Sequence, residues 1–392
     1  MKLRGDYMIV YLDNSATTRP RDEVIDVMNN MLKIDYGNPS SLHRMGLEAE
    51  KKVESSRQII ADFLRVRKDE IFFTSGGTES NNIAIQGLIN KNSRAGKHII
   101  TTEIEHSSVL NIFKAYEQRG YDITYLNVDE YGFIDIEQLE NSIREDTIVV
   151  SIMLVNNEIG TIQNLKQIKK IISKKNNNVK LHIDGVQAFG KIKVDIKDLG
   201  IDTFSFSGHK IHGPKGVGGL YVRKDVNLDP IVFGGNQERG IRSGTENVPG
   251  IVGLGKAVEI LRDNFTQEKE KILSLKKYFA SSIQEKIDNI KMNSLLDNRS
   301  APHILNISFI GVKGEVLLHY LERFNIFVST GSACSSHKKG KSHVLKAINL
   351  KDQLIDGTVR FSFAYSNTKE ELDFALDKLI ESVNEIRKIT MR

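Results

Sequence analysis

The 392-residue chain holds a single cysteine, Cys334, and places it in "GSACSSHKKGKSH" (331–343) among glycine, serine, histidine and lysine. A cysteine with no chemical task usually packs as a small hydrophobe. These neighbours instead read as a loop, and positive charge from His337, Lys338, Lys339 and Lys341 favours the nucleophilic thiolate over the thiol. The plainer reading is a solvated basic surface. A zinc site built from Cys334, His337 and His343 is a poor third, because three mixed ligands on one basic loop, with no second cysteine pair, lack the usual structural pattern. No metal is expected.

A second stretch with chemical potential is "SFSGHKIHGPKGVGG" (205–219), which carries Lys210 and Lys215 amid glycines. It does not match a Walker A loop, which needs Gly-x4-Gly-Lys-Ser/Thr entering a helix. The alternative is a lysine that condenses with an aldehyde, as in pyridoxal phosphate enzymes, where the cofactor also needs a carboxylate for its ring nitrogen and donors for its phosphate. Asp184 closes "VKLHID"; the end of a strand in an α/β sheet faces the ligand crevice, although an isolated aspartate there also serves as a turn or cap. "FFTSGGTESNN" (72–82) runs from a strand through Gly76-Gly77 into a helix beginning near Thr78. Its free N–H groups and positive dipole end suit a phosphate, and simple capping by Ser75 or Thr78 is the competing reading. Ser207 and His209 add potential phosphate donors. His106, in "EIEHSSVL", follows another strand at a crevice-facing position, where a lone histidine is often a structural hydrogen bonder.

The elements that must position these groups follow a regular rhythm. Strand patterns at 70–74, 98–102, 122–126, 147–153, 179–183, 202–206 and 218–222 alternate with helical stretches such as 104–119 and 164–175, which predicts a mostly parallel sheet covered on both faces. Beyond residue 250 the period changes. Ile251, Leu254, Val258 and Leu261 recur at helical spacing, a charged amphipathic stretch spans 266–290, and the chain is expected to leave the large domain there. A strand at 304–309, a helix at 314–323 and a final helix striped by Leu372, Leu376, Leu379, Val383 and Ile386 complete the reading. With 40% hydrophobic and 27% charged residues and a net charge of +5, composition suggests a globular protein with no call for nucleic acid. One cysteine makes no internal disulfide, no signal-length apolar stretch opens the chain, and no run approaches the roughly 20 apolar residues of a membrane helix; a cytoplasmic location is expected.

Taken in order, "YLDNSATT", "GNPSSLH", "TSGGTESNN", "EIEHSSVL", "VNNEIGTIQ", "HIDGVQAFGK", "SFSGHKIHGPKGVGGLYVR", "GGNQERGIRSGTENVPGIVG" and "STGSACSSHKKGKSHVL" resemble the NifS/IscS-type cysteine desulfurases nearly end to end. The resemblance implies an α/β fold of the aspartate aminotransferase-like, fold type I class. It has a large domain (18–262) with a mostly parallel seven-stranded sheet, and a smaller α+β domain (1–17 and 263–392). It implies pyridoxal 5'-phosphate as cofactor. Lys210 then matches the lysine that binds the cofactor aldehyde, Asp184 the partner of the ring nitrogen, Gln187 a contact to the phenolic oxygen and His106 the imidazole stacked on the ring. Gly77, Thr78, Ser207 and His209 match phosphate-binding positions, and Thr245 a threonine contributed by the neighbouring subunit, which implies a homodimer. Asn157 matches a further cofactor-side and substrate-side position, and Arg360 the arginine that grips the substrate carboxylate.

By the same resemblance Cys334 takes the sulfur of L-cysteine as a persulfide, L-alanine leaves, and His106 exchanges a proton near the thiol. The sulfur then passes to an acceptor protein such as an iron–sulfur scaffold or a tRNA- or cofactor-thiolating enzyme. Rival readings are another pyridoxal phosphate-dependent lyase or aminotransferase of the same fold, and a non-catalytic cofactor-binding regulator. "GSAC" resembles the first branch of the family, not the "GHHCA" pattern of the second. After Arg360 the chain reads "FSFAYSNTKEELD", where first-branch relatives usually show a Leu-Gly-Arg and Thr-Thr stretch. The basic "HKKGK" suits an acidic docking partner.

Overall fold

The computed structural model describes residues 8–330 and 341–390; Cys334, His337, Lys338 and Lys339 lie outside the described residues. The chain opens with β1 (Val10–Tyr11), α1 (Asp22–Lys33) and α2 (Arg44–Leu64). A βα series follows: β2 (Ile71–Thr74), α3 (Gly77–Asn92), β3 (His98–Thr102), α4 (Ser107–Glu117), β4 (Asp122–Leu126), α5 (Ile136–Ser142), β5 (Thr147–Met153), α6 (Leu165–Lys175), β6 (Lys180–Asp184), β7 (Thr203–Ser207) and β8 (Gly218–Val222). The remainder comprises α7 (Val248–Lys286), β9 (Ile290–Met292), β10 (Ile304–Phe309), α8 (Gly314–Glu322), β11 (Ile326–Phe327), α9 (His343–Ala347), α10 (Asp352–Asp356), β12 (Thr358–Ser362) and α11 (Lys369–Thr390).

The large sheet has the order β2-β8-β7-β6-β5-β3-β4. β7, β6, β5, β3 and β4 run parallel, and every residue of "TIVVSIM" in β5 is buried, as a central strand with both faces covered requires. β8 is antiparallel to both its neighbours, so β2, inverted twice, runs in the same direction as β7. The consequence is positional: the loops after β2, β3, β5, β6 and β7 all emerge at one edge of the sheet, the edge at which open α/β sheets bind ligands.

The sequence suggested two separate helical stretches around residue 262, and the structure has one continuous 39-residue helix, α7. What changes along it is the partner. Val248 to Leu261 pack in the core beneath the large sheet, Ile272 to Ile283 pack in a second core, and no residue from 262 to 271 is buried. Periodicity broke because burial lapsed, while the backbone hydrogen bonds carried on. The second core lies on an antiparallel β12-β10-β9 sheet beside the parallel β1–β11 pair, and the α11 stripe from Leu372 to Ile386 fills it.

The departure after Arg360 has a local structural role. Tyr365 lies under the Arg21 guanidinium, 3.8 Å from atom to ring centroid, and edge-on to His212. Asn367 accepts from the Ala364 N–H at 2.8 Å and donates to Glu371, closing the turn into α11.

Candidate active site

Loops from that sheet edge enclose a cavity of about 250 Å³ lined by Gly77, Thr78 and Asn81 after β2, His106 and Ser108 after β3, Met153 at the end of β5 and Asn157 after it. Asp184, Val186 and Gln187 line it from β6, and Ser207, His209 and Lys210 from β7. Ser15, Ala16 and Arg360 close it from the other side. Every residue predicted for the site is in this lining except Thr245, which lines a separate cavity with Thr74, Ser75 and Arg242, and Cys334, which lies outside the described residues. A larger cavity of about 490 Å³, lined in part by Lys68, Arg239 and the buried Arg57–Glu238 pair at 2.8 Å, contains none of them.

Asp184 is buried where β6 ends. Its Oδ1 accepts from the Val186 N–H at 3.0 Å and its Oδ2 from the Asn81 side-chain amide at 2.8 Å. Asn81 is itself oriented, because its Oδ1 lies 3.1 Å from His182 Nε2, whose Nδ1 lies 2.9 Å from Thr203 Oγ1. Burial drives the His182 pKa down to about 3, so the ring is neutral and bridges the two side chains with one proton.

The start of α3 offers the phosphate cradle. Its N-cap, Gly76, contributes no side-chain cap and has a φ of 150°, which L side chains rarely adopt. A Cβ on Gly77 would come within 2.5 Å of Val186 Cγ2, so the turn closes only with glycine there. Backbone N–H groups at a helix start without a side-chain cap suit an anion. His209 lines the same cavity; burial, then the charges of Lys210 and Lys215, lowers its pKa to about 4 and favours the neutral ring.

His106 caps α4, with Nδ1 accepting from the Ser108 N–H at 3.1 Å. An acceptor Nδ1 leaves the proton of the neutral ring on Nε2. The preceding Glu105 is fully buried. Its Oε1 accepts from the Met153 N–H at 2.7 Å and the Thr102 hydroxyl at 2.9 Å, and burial, reinforced by the charge of Asp184, raises its pKa to about 8. It is a neutral acid at pH 7 that ties the β3 loop to β5.

Residues 13–18, part of "YLDNSATT", strap the two sides together. The carbonyls of Ser15 and Ala16 accept from Lys210 Nζ at 2.5 and 2.7 Å, and Thr18 bonds the His209 carbonyl. Gln187 donates to the Ser15 carbonyl at 2.9 Å and faces His303 Nε2 at 3.2 Å. Asp13 accepts from Arg360 Nη2 at 2.9 Å, while Arg360 Nη1 donates to the Asn157 carbonyl at 2.8 Å. Arg360 is 3% exposed, and its buried Nε has no hydrogen-bond partner among the described residues. A buried guanidinium with a donor to spare, on a cavity wall, suits a carboxylate.

Asn81, Asp13, Ser15, Ala16 and His303 were not singled out from the sequence. Four of them lie inside or beside motifs that were, "TSGGTESNN" and "YLDNSATT", but nothing in their types marks a long-range partner; His303 lies in no such motif.

These groups fit pyridoxal phosphate: an uncapped glycine helix start for the phosphate, a doubly anchored carboxylate at a strand end, and an amine on the same cavity. Comparison with known proteins agrees. Residues 10–374 match the family model described as aminotransferase class-V. The chain belongs to that family, and depends on pyridoxal phosphate. Cysteine desulfurase IscS of Dictyoglomus turgidum is 45% identical over 97% of this chain and 96% of its own length. A solved NifS-like protein superposes with a TM-score of 0.91 at 39% identity, covering 96% of this chain and 100% of that one. A structure described as SspA in complex with cysteine does so with a TM-score of 0.81 at 35% identity, over 92% and 100%. The activity of the chain is that of a cysteine desulfurase.

Proposed function

We propose that the enzyme converts L-cysteine to L-alanine and that Cys334 takes the substrate's sulfur as a persulfide for delivery to an acceptor protein. What carries this reading is the convergence of Lys210, Asp184, His106 and Arg360, from four separated stretches of chain, on one cavity. The cysteine bound in the SspA structure supports L-cysteine as substrate.

Bound pyridoxal phosphate supplies an electron sink for the substrate's Cα. Gly77, Thr78, Ser207 and His209 hold its phosphate, Asp184 its ring nitrogen and Gln187 its phenolic oxygen, with His106 and Asn157 bordering the ring. Arg360 pairs its planar fork with the substrate carboxylate. Lys210 Nζ moves the Cα proton, poised by the Ser15 and Ala16 carbonyls. His106, with its proton on Nε2, is a proton donor beside the attacking Cys334 thiolate. The net change balances: the substrate C–S bond breaks, an S–S bond forms on Cys334, and carbon takes the electron pair and a proton to become the alanine methyl.

The same proposal includes a homodimer, a sulfur acceptor of the iron–sulfur scaffold or thiolation type, a cytoplasmic setting and a division of the chain at residues 17 and 262. A second copy is supported by the exposed apolar side chains Leu32, Ile34, Tyr36, Leu42 and Phe233, and by Thr245 facing a different cavity from the other predicted phosphate residues. The change of core between Leu261 and Ile272 supports the division. No helix among the described residues is long and apolar enough to cross a membrane.

Incubating the cofactor-loaded enzyme with L-cysteine tests the reading. Alanine and Cys334 persulfide form in equal amounts in one turnover; Cys334→Ser keeps the cysteine-induced change in cofactor absorbance yet forms no persulfide, and Lys210→Ala loses turnover. Persulfide on the Cys334→Ser variant, or alanine without any extra sulfur on Cys334 in the wild type, would overturn it.

A further inference from the structure

Residues 331–340, which carry Cys334, join two stems whose contacts the structure describes: the incoming stem pairs with Arg360 itself, and the outgoing stem bonds Glu158, the neighbour of the residue whose carbonyl Arg360 holds. On the incoming side, Ser329 and Arg360 exchange main-chain hydrogen bonds at 3.1 and 2.6 Å. On the outgoing side three consecutive residues are tied. Lys341 pairs with Asp352 and Asp356 at 3.2 and 3.3 Å, and His343 Nε2 meets the Glu105 carbonyl at 2.9 Å, one residue before His106. Between them, the Ser342 hydroxyl donates to Glu158 Oε2 at 2.6 Å and accepts from the Leu345 N–H at 3.1 Å.

Glu158 is the least expected of these partners. It is 4% exposed, and its backbone is pinned: its N–H reaches the Asn156 side chain at 2.9 Å and its carbonyl accepts from the Asn306 amide at 3.1 Å. The residue before it, Asn157, gives its carbonyl to Arg360. A rigid turn thus holds Arg360 through one residue and Ser342 through the next. A buried carboxyl is costly to keep, and capping α9 does not require it, since Ser342 supplies that cap alone.

We propose that Glu158 is a positioning residue whose carboxyl locks the outgoing stem of the Cys334 segment to the Arg360–Asn157 turn, so that sulfur transfer onto Cys334, but not cofactor or substrate binding, depends on it. This rests on the reading of Cys334 as the sulfur acceptor. Burial raises the Glu158 pKa to about 7, with Ser342, Arg360 and His106 opposing that rise.

The test compares Glu158→Ala, Glu158→Gln and Ser342→Ala in the cofactor-loaded, full-length enzyme. Cofactor absorbance and the cysteine concentration that half-saturates its change should stay at wild-type values, while single-turnover persulfide formation on Cys334 falls about ten- to a hundredfold in Glu158→Ala. Glu158→Gln keeps an oxygen to accept from Ser342 and should recover to within about threefold of wild type. A merely structural role would lower melting temperature without splitting kcat from KM and without rescue by Gln. Wild-type transfer rates in Glu158→Ala, or loss of cofactor binding in step with transfer, would overturn the proposal. Should Glu158→Ala not fold, Ser342→Ala, which removes the same link from the other side, is judged by the same split. No persulfide on wild-type Cys334 would instead sink the underlying reading, so the two failures are distinct.

Discussion

The Asn81 side-chain amide donates to Asp184 Oδ2 at 2.8 Å across 103 positions of sequence, and His182, held by Thr203, fixes which way that amide points. A carboxylate at a strand end turns freely unless something locks it; here two donors do, and its remaining capacity faces the cavity. Asn81→Ala should therefore weaken pyridoxal phosphate binding about tenfold, the worth of one hydrogen bond to a charged group. Titrating cofactor into the apo variant by absorbance measures this, and unchanged affinity would remove Asn81 from the ring-nitrogen site.

Arg360 spends its two terminal nitrogens on Asn157 and Asp13, and its Nε has no hydrogen-bond partner among the described residues. Lysine carries the charge but not the fork. Arg360→Lys should raise KM for L-cysteine about ten- to a hundredfold with a smaller change in kcat, read from steady-state alanine production.

Glu105 gives a pH signature of definite sign. Its folded pKa of about 8 lies above the ordinary 4.5 because the charged form is disfavoured by burial and then by Asp184. The stability it contributes as a neutral acid is complete below about pH 4.5 and is lost as pH rises through about 8. Glu105→Gln cannot ionise. Its unfolding free energy should gain on that of wild type between pH 5 and pH 9, by on the order of a few kcal/mol, read from denaturant unfolding at each pH. A constant gap across that range would show that Glu105 does not change charge there.

The exposed Leu42 and Phe233 are the points at which to test the homodimer. Leu42→Glu combined with Phe233→Glu should shift the mass by light scattering from two chains to one. If Thr245 completes a neighbour's phosphate site, the monomer should also hold cofactor more weakly, by about tenfold for a lost charged contact. A double variant that stays dimeric would place the contact elsewhere on the surface.

A complementary acid-side effect follows from His182. Its folded pKa of about 3 is depressed by burial, so the stability from burying it neutral is present above about pH 6.5 and is lost as pH falls towards 3. Replacing it with glutamine, which keeps a donor for Asn81, should flatten the loss of melting temperature between pH 6.5 and pH 4. A variant that melts along the wild-type curve through that range would count against a neutral, buried His182.

The sequence by itself determined the alternation of strands and helices, the glycine turn into α3 and the types of group that reach the cavity. These are written in short stretches of chain: "TIVVSIM" is β-rich and mostly apolar over seven residues, and the Gly76-Gly77 pair directly precedes the first helical residues of α3. Tertiary structure alone decided the pairings. Arg360 meets Asp13 across 347 positions, Glu158 meets Ser342 across 184, and α7 runs unbroken through a gap in its own apolar pattern. Periodicity reports that a face is buried, not what buries it, so contacts between distant, pattern-neutral residues such as Asn81 and Asp13 come into being only when the packed cores bring their loops to one edge of the sheet.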